Sequence, residues 1–370
     1  MIKQVTQSPD LPALQACIDR VQADTTVKSL LVLSCADNPI SPDQWNRLIE
    51  EQTLPIHGGL FPGLIDDGRV LRAGHLVIGL PWTPVPLTIP LSGDASANSE
   101  AILEHNMEAM EPVRSMLVFV DGLCSGLTPL IDALFNVYGL ELNYFGGGAG
   151  SLCFEQRPCL ITPEGLIGQS ALLLGFEQPV EVGVRHGWTT LAGPFRVTEV
   201  DGTTIHSLDW RPAFDVYAEI LRRFAGKDIT RENFFEYAKA HPFGIKKFDA
   251  EVVVRDPIAP GNNGSLACVG EIPRNALVDI LQGDADSLTE AAGQATRDSL
   301  ARERPEAMFC FDCISRVLFL EEDFDRELRT VARPPVPLAG ALTIGEIANS
   351  GHDYLEFYNK TCVVASLRSR

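Results

Sequence analysis

The chain has 370 residues, 45% of them hydrophobic and 21% charged, which is ample for a large core and excludes global disorder. Its formal net charge of −19 and pI near 4.8 argue against a nucleic-acid partner, because a phosphate backbone would be repelled. No apolar stretch reaches the roughly 20 residues that cross a bilayer, the first residues lack the apolar core of a signal peptide, and nine cysteines without framework spacing point to a reduced, cytoplasmic protein.

In chain order, apolar residues at three- and four-residue spacing predict a helix over 10–23, followed by a buried strand from Val27. Ser41-Pro-Asp-Gln44 supplies a capping box for a helix to about Glu51. The glycine- and proline-rich stretch 54–63 reads as a turn region, with strands at 70–80 and 85–91. A helix is expected over 96–110, a strand over 114–121 ending on Asp121, and a helix near 126–137. Phe145-Gly-Gly-Gly-Ala-Gly150 reads as a loop, and 158–200 as strand-rich. Helices follow at 210–224 and, capped by Thr230, to Ala240, then strands at 250–255 and 276–281. Ser287-Leu-Thr-Glu290 predicts a capping box for a helix to about Arg302. Three strands and a short helix end the chain near Ala365. The fold class is α+β: two closely packed lobes of mixed, largely antiparallel sheets flanked by helices, divided as 28–210 and 211–365.

The most informative stretch is Ala307-Met-Phe-Cys-Phe-Asp-Cys-Ile-Ser-Arg316, an apolar strand-like run carrying two thiols, a carboxylate and a guanidinium. Such groups are costly to bury unpaired, and apolar walls with a few polar groups suit a ligand pocket. Cys310 and Cys313 have CxxC spacing, but zinc needs two more ligands and no second pair exists. A redox pair sits at a helix start, whereas strand periodicity sends these thiols to opposite faces. Metal and dithiol readings are therefore set aside. Cys310 reads as core and Cys313 as pocket-facing, while Asp312 shares a face with Arg316 and can pair with it. Glu346, inside the apolar run 340–347, needs a cation, donors or a proton; Arg316 is the expected partner, and a ligand contact is the alternative. Asn359 and Thr361 offer amide and hydroxyl contacts.

Gly146-Gly-Gly-Ala-Gly150 lacks the Lys-Ser/Thr of a P-loop; it reads as a structural turn or, through Gly147 and Gly148, as a pocket wall. Ser125 lacks the glycines of a nucleophile elbow. No HxxxH pair occurs among the seven histidines, but one imidazole suffices for a haem iron. His57, His186 and His241, each in turn-forming surroundings, are the alternative haem-ligand candidates; each otherwise reads as a structural histidine.

Taken in order, the strand ending at Asp121, Gly146–Gly150, Val184-Arg-His-Gly-Trp188, Pro212-Ala-Phe-Asp-Val-Tyr217, His241-Pro-Phe-Gly-Ile245, Glu251-Val-Val-Val-Arg255, Phe311–Arg316, Gly340–Ile347 and Phe357-Tyr-Asn-Lys-Thr361 resemble the FIST family of paired N- and C-terminal sensory domains. The resemblance runs from about residue 28 to 365. It implies small-ligand sensing coupled to signal transduction, through a partner such as a histidine kinase or a cyclic-di-GMP output protein. Gly58-Gly-Leu-Phe-Pro62 is similar to the stand-alone bacterial nitric-oxide-sensing members (NosP), which carry haem and regulate a histidine kinase. The chain departs from the family at Pro62, and at Ser315, where glycine is usual; both bear on ligand identity.

The expected function is thus a cytoplasmic small-ligand sensor, with haem-based nitric-oxide sensing as its sharpest form and a pocket between the lobes lined by Cys313, Arg316, Glu346, Asn359, Gly147 and Gly148. A different class, an enzyme with Cys313 as nucleophile, would need a lowered thiol pKa beside a cation. A third, a ligand-free adaptor, would show no well-formed pocket.

Overall fold

Three times along the chain an apolar strand is followed by a crossover of one or two helices and a second strand parallel to the first. The computed structural model describes residues 2–91, 98–153, 155–247, 252–300, 305–349 and 354–368. The first pair is Ser29–Cys35 and Ile56–Phe61 across helix Pro42–Glu50. The second is Ser115–Asp121 and Asn143–Ala149 across Leu127–Tyr138. The third is Ala307–Cys313 and Leu338–Thr343 across Ile314–Leu320 and Phe324–Val331. All six strands are buried along most or all of their length, as strands covered on both faces must be.

Each pair is completed in the same way. A return strand lies antiparallel to the first member (His75–Leu80, Ser170–Phe176, Cys362–Leu367), and an outer strand follows it (Ile2–Thr6, Val85–Pro90, Val180–Arg185). The registers coincide: Val32 faces Gly58, Val118 faces Gly146, and Cys310 faces Gly340. A Cβ on these glycines would lie 1.8, 2.0 and 1.8 Å from the carbonyl oxygen of that neighbour, so only glycine fits. The ring is therefore one unit repeated three times.

The repeats exchange hairpins. The hairpin after Phe61 (Gly63–Asp66, Arg69–Leu71) adds to the third sheet beside Leu338–Thr343. That of the third repeat (Glu346–Ala348, Glu356–Tyr358) adds to the second beside Asn143–Ala149. That of the second (Leu160–Thr162, Gly165–Ile167) adds to the first beside Ile56–Phe61. Each sheet thus has six strands and a borrowed edge. Aromatic rings of different repeats meet in the middle: Phe119 contacts Phe61 and Phe311 at centroid distances of 5.1 and 5.6 Å, and Phe145 contacts Phe309 at 5.8 Å.

Residues 189–282 form a second body inserted into the third repeat. Thr189–Asp201, Leu277–Gln282, Phe243–Ile245, Val253–Pro260, Leu266–Val269 and Thr204–Leu208 pair antiparallel in a closed circuit, the long first strand pairing with the second and the last. Helix Ala213–Ala225 and the short Phe234–Ala238 pack against this barrel, with the Tyr217 ring contacting those of Phe234 and Phe243.

The α+β expectation holds: mixed and antiparallel sheets flanked by helices. Ring and barrel are its two bodies, and the sequence division at 210/211 falls within the barrel. The capping box at Ser41 is present. The stretch 54–63, expected as a turn region, holds the strand Ile56–Phe61, and the expected loop 145–150 lies largely in Asn143–Ala149, because their glycines admit the neighbouring strand rather than turn the chain. The helix expected from Ser287 begins one turn earlier, capped by Asp284 with Ser287 as its reciprocal partner. The run 307–316 is a strand only to Cys313, after which Ile314–Leu320 is helical. Residues 96–97, 250–251 and 301–302, at the ends of expected elements, lie outside the described residues.

Gly340→Ala should cost about 3 kcal/mol, as overpacking against a main-chain oxygen does. Gly226→Ala, at a left-handed helix cap with φ +65° and nothing within 4 Å, should cost only about 1 kcal/mol. Urea denaturation of the two variants checks this; equal losses would contradict the close strand approach.

Candidate functional site

Arg316 sits in the first turn of helix Ile314–Leu320, with its side chain 0% exposed. Its Nε and Nη2 donate to the two carboxylate oxygens of Glu327 at 3.0 and 2.5 Å. Nη1 donates to the carbonyls of His186 (2.6 Å) and Lys360 (3.2 Å), and Nη2 also to that of Leu288 (3.0 Å). Asp312 lies 3.2 Å from Nε. The predicted Asp312–Arg316 pair is present, but as helix-turn neighbours rather than along one strand face. Burial opposes the Arg316 charge, yet Glu327 and Asp312 hold it firmly protonated; burial and Glu327 push the Asp312 carboxyl well up.

Glu346 is also fully buried, and Arg316 is not its ion-pair partner. Its carboxylate accepts from the Thr343 hydroxyl (2.8 Å) and the Thr361 backbone N–H (3.3 Å), and the Cys313 thiol lies against it. Burial, then Glu346, pushes the Cys313 thiol up, an environment that opposes a nucleophilic thiolate. Cys310 sits on the other face, with Asp312 and Cys362, their ligand atoms within 4.8 Å; the adjoining Cys310 thiol and then burial push the Cys362 thiol well up. Asn359 is 1% exposed, and its Oδ1 has no partner. Gly147 pairs with Glu346 in the sheet, and Gly148 exchanges backbone hydrogen bonds with Gly345 and Ile344. Cys313, Arg316, Glu346, Asn359, Gly147 and Gly148, the expected pocket lining, are all buried here. Most of these polar groups meet one another or the backbone, as deep polar atoms usually do, and the Asn359 Oδ1 is the exception among them.

The open space lies beside them. A cleft of about 740 Å³ runs between the barrel and the ring. The barrel contributes Ile245, Lys247, Val253, Arg255, Glu271 and Ile272; the ring contributes Ile131 and Phe135 from helix Leu127–Tyr138 and the segment 354–358. Arg255, 7% exposed, donates from Nε to the Glu271 carbonyl (2.9 Å) and from Nη1 to the Phe357 carbonyl (2.9 Å), so it joins the two walls. Burial lowers its pKa to about 10, which leaves it charged at neutral pH. Lys360, next to this wall, reaches the barrel: its Nζ lies 3.2 Å from Asp256 and donates to the Lys239 carbonyl at 3.0 Å. Reading the sequence placed neither Arg255 nor Lys360 at the site. A charge closing the apolar run 252–254 is the same signal that marked Glu346.

The three candidate haem ligands differ. His186 accepts the Trp188 backbone N–H at Nδ1 (2.8 Å), and burial with Arg316 lowers it to about 4. His241 bonds the Tyr237 carbonyl through Nδ1 (2.9 Å). His57, 1% exposed, has no partner on either ring nitrogen, and burial lowers it to about 4. It borders a second cavity of about 320 Å³ with Ile49, Leu54, Pro55, Pro86 and Pro163. Of the three, only His57 offers a buried nitrogen without a protein partner, and it therefore fits an axial-ligand role.

Burial pushes the Glu346 carboxyl from 4.5 up to about 8, so the fold favours its protonated form. The resulting stability is full below the unfolded value and is lost as pH rises through about 8. Urea stability of the native chain minus that of Glu346→Gln should therefore fall between about pH 5 and pH 8. A flat or rising difference would mean that the carboxylate is ionised in the fold.

No helix among the described residues is long and apolar enough to cross a membrane. A search of curated proteins finds no match. The FIST N domain model matches residues 29–211, and the FIST C domain model matches 213–349. FIST domains are associated with small-ligand sensing in signal transduction and are sensory rather than catalytic. A chain matched over most of its length by these two domain models belongs to the FIST family.

Proposed function

We propose that this protein is a cytoplasmic sensor that binds a small ligand in the cleft between barrel and ring and passes its occupancy to a partner, a histidine kinase or a cyclic-di-GMP output protein. The cleft itself carries this reading: one wall belongs to the barrel, the other to the ring, and Arg255 already bridges them. Its volume and apolar walls suit a small ligand with a few polar anchors. A ligand touching both walls favours the arrangement that presents both, and that differential contact is what a sensor transmits. Hydrogen exchange at 271–273 and 354–358 should slow when a ligand from a metabolite panel raises the melting temperature. Ile272→Trp, which fills the cleft, should abolish both effects. Thermal stabilisation that persists in this variant with no protection at either wall would place the ligand elsewhere.

The orphaned His57 supports a second reading, haem-based nitric-oxide sensing. His57 would supply the axial nitrogen, and Ile49, Leu54 and the prolines would supply apolar walls. Haem, when bound, provides an iron that takes a diatomic gas. Stoichiometric haem should then give a Soret band that His57→Ala removes and that His186→Ala and His241→Ala retain. No specific band in the native chain would end this reading.

A further inference from the structure

The inference that follows rests on the cleft being the ligand site and concerns what it selects. Three deep cations stand near the junction of ring and barrel. Arg316 has Glu327, and Lys360 has Asp256. Arg255 has no carboxylate at ion-pair distance among the described residues, although it is 7% exposed. Its Nε and Nη1 are committed to the carbonyls of Glu271, Val254 and Phe357. Those bonds fix the plane of the guanidinium and leave Nη2 without a protein acceptor among the described residues. Glu356 and Glu271 offset its charge only from beyond ion-pair distance; a desolvated cation with no closer counter-ion among the described residues is costly, and an oriented guanidinium edge matches a carboxylate.

We propose that the cleft selects a monocarboxylate with an apolar body, its carboxylate on Arg255 and its body against Ile131, Phe135, Ile245, Ile272, Leu355 and Phe357. The other charges of the cleft argue for a single negative group. Lys247 is neutralised by Glu356 at 2.5 Å. Asp132 and Glu271, both exposed in the cleft lining, would repel a second negative group on the ligand.

Calorimetry on the unmodified chain tests this with octanoate, octanamide, octyl phosphate and suberate as probes. Octanoate should bind at least tenfold more tightly than each of the others, a difference of about 1.4 kcal/mol or more. Arg255→Gln should lose the preference of octanoate over octanamide. Should that variant fail to fold, the four-probe comparison on the native chain stands alone. Octanamide binding as well as octanoate would overturn carboxylate recognition and leave the cleft reading intact. Tighter binding of octyl phosphate or suberate would overturn the single-charge assignment. Failure of all four probes, while another compound protects 271–273 and 354–358 from exchange, would overturn the ligand class alone. Absence of protection by any compound would remove the cleft reading with it.

Discussion

One buried guanidinium holds ring and barrel in register. Arg316 binds the carbonyl of His186, just before the barrel begins, that of Leu288, just after it ends, and that of Lys360 in the last motif of the chain. Burying such a charge is costly unless its donors are met, and here Glu327 and three carbonyls meet them. The cost of losing any one partner is what makes the arrangement specific: segments far apart in sequence must converge for the cation to be tolerated. Lys360 acts beside it, with its ammonium on Asp256 of the barrel and its carbonyl accepting from Arg316 and from Trp188.

The ring explains why the third repeat carries the polar residues. Position by position, Cys313 stands where Cys35 and Asp121 stand, and Glu346 stands where Leu64 and Leu160 stand. Two repeats close this junction with leucine. The third closes it with a buried carboxyl supported by Thr343, Thr361 and the Cys313 thiol. Because hairpins are exchanged, this junction is shared with the second repeat through Gly147. One short segment, 358–361, joins this polar cluster to the cleft wall.

That segment links the cleft wall to the barrel and the ring. Phe357 offers its carbonyl to Arg255 in the cleft; Lys360 touches the barrel and Arg316; the Thr361 N–H donates to Glu346. Packed interiors transmit displacement poorly by bending and well by switching between discrete packings. A stretch whose successive residues bind the cleft, the barrel and the ring is suited to such switching.

Much of the local structure was legible from the residues. Helix periodicity, the capping box at Ser41 and apolar strands follow from spacing and short-range chemistry; the Asp312–Arg316 pair was also legible, although a helical turn and not a strand face brings it together. The family was legible because nine short motifs keep one order. What spacing could not convey is which chain segments meet. Gly58, Gly146 and Gly340 look like turn or loop glycines until the neighbouring strand is seen against each of them. Glu346 looks paired with Arg316 until Glu327, eleven residues beyond Arg316, is found to occupy the guanidinium. Arg255 looks like a strand end until the ring closes over it. Residue type and periodicity determined the elements and their buried faces. Tertiary structure alone decided the threefold exchange, the barrel insertion and the location of the cleft, because each depends on contacts between residues tens to hundreds of positions apart.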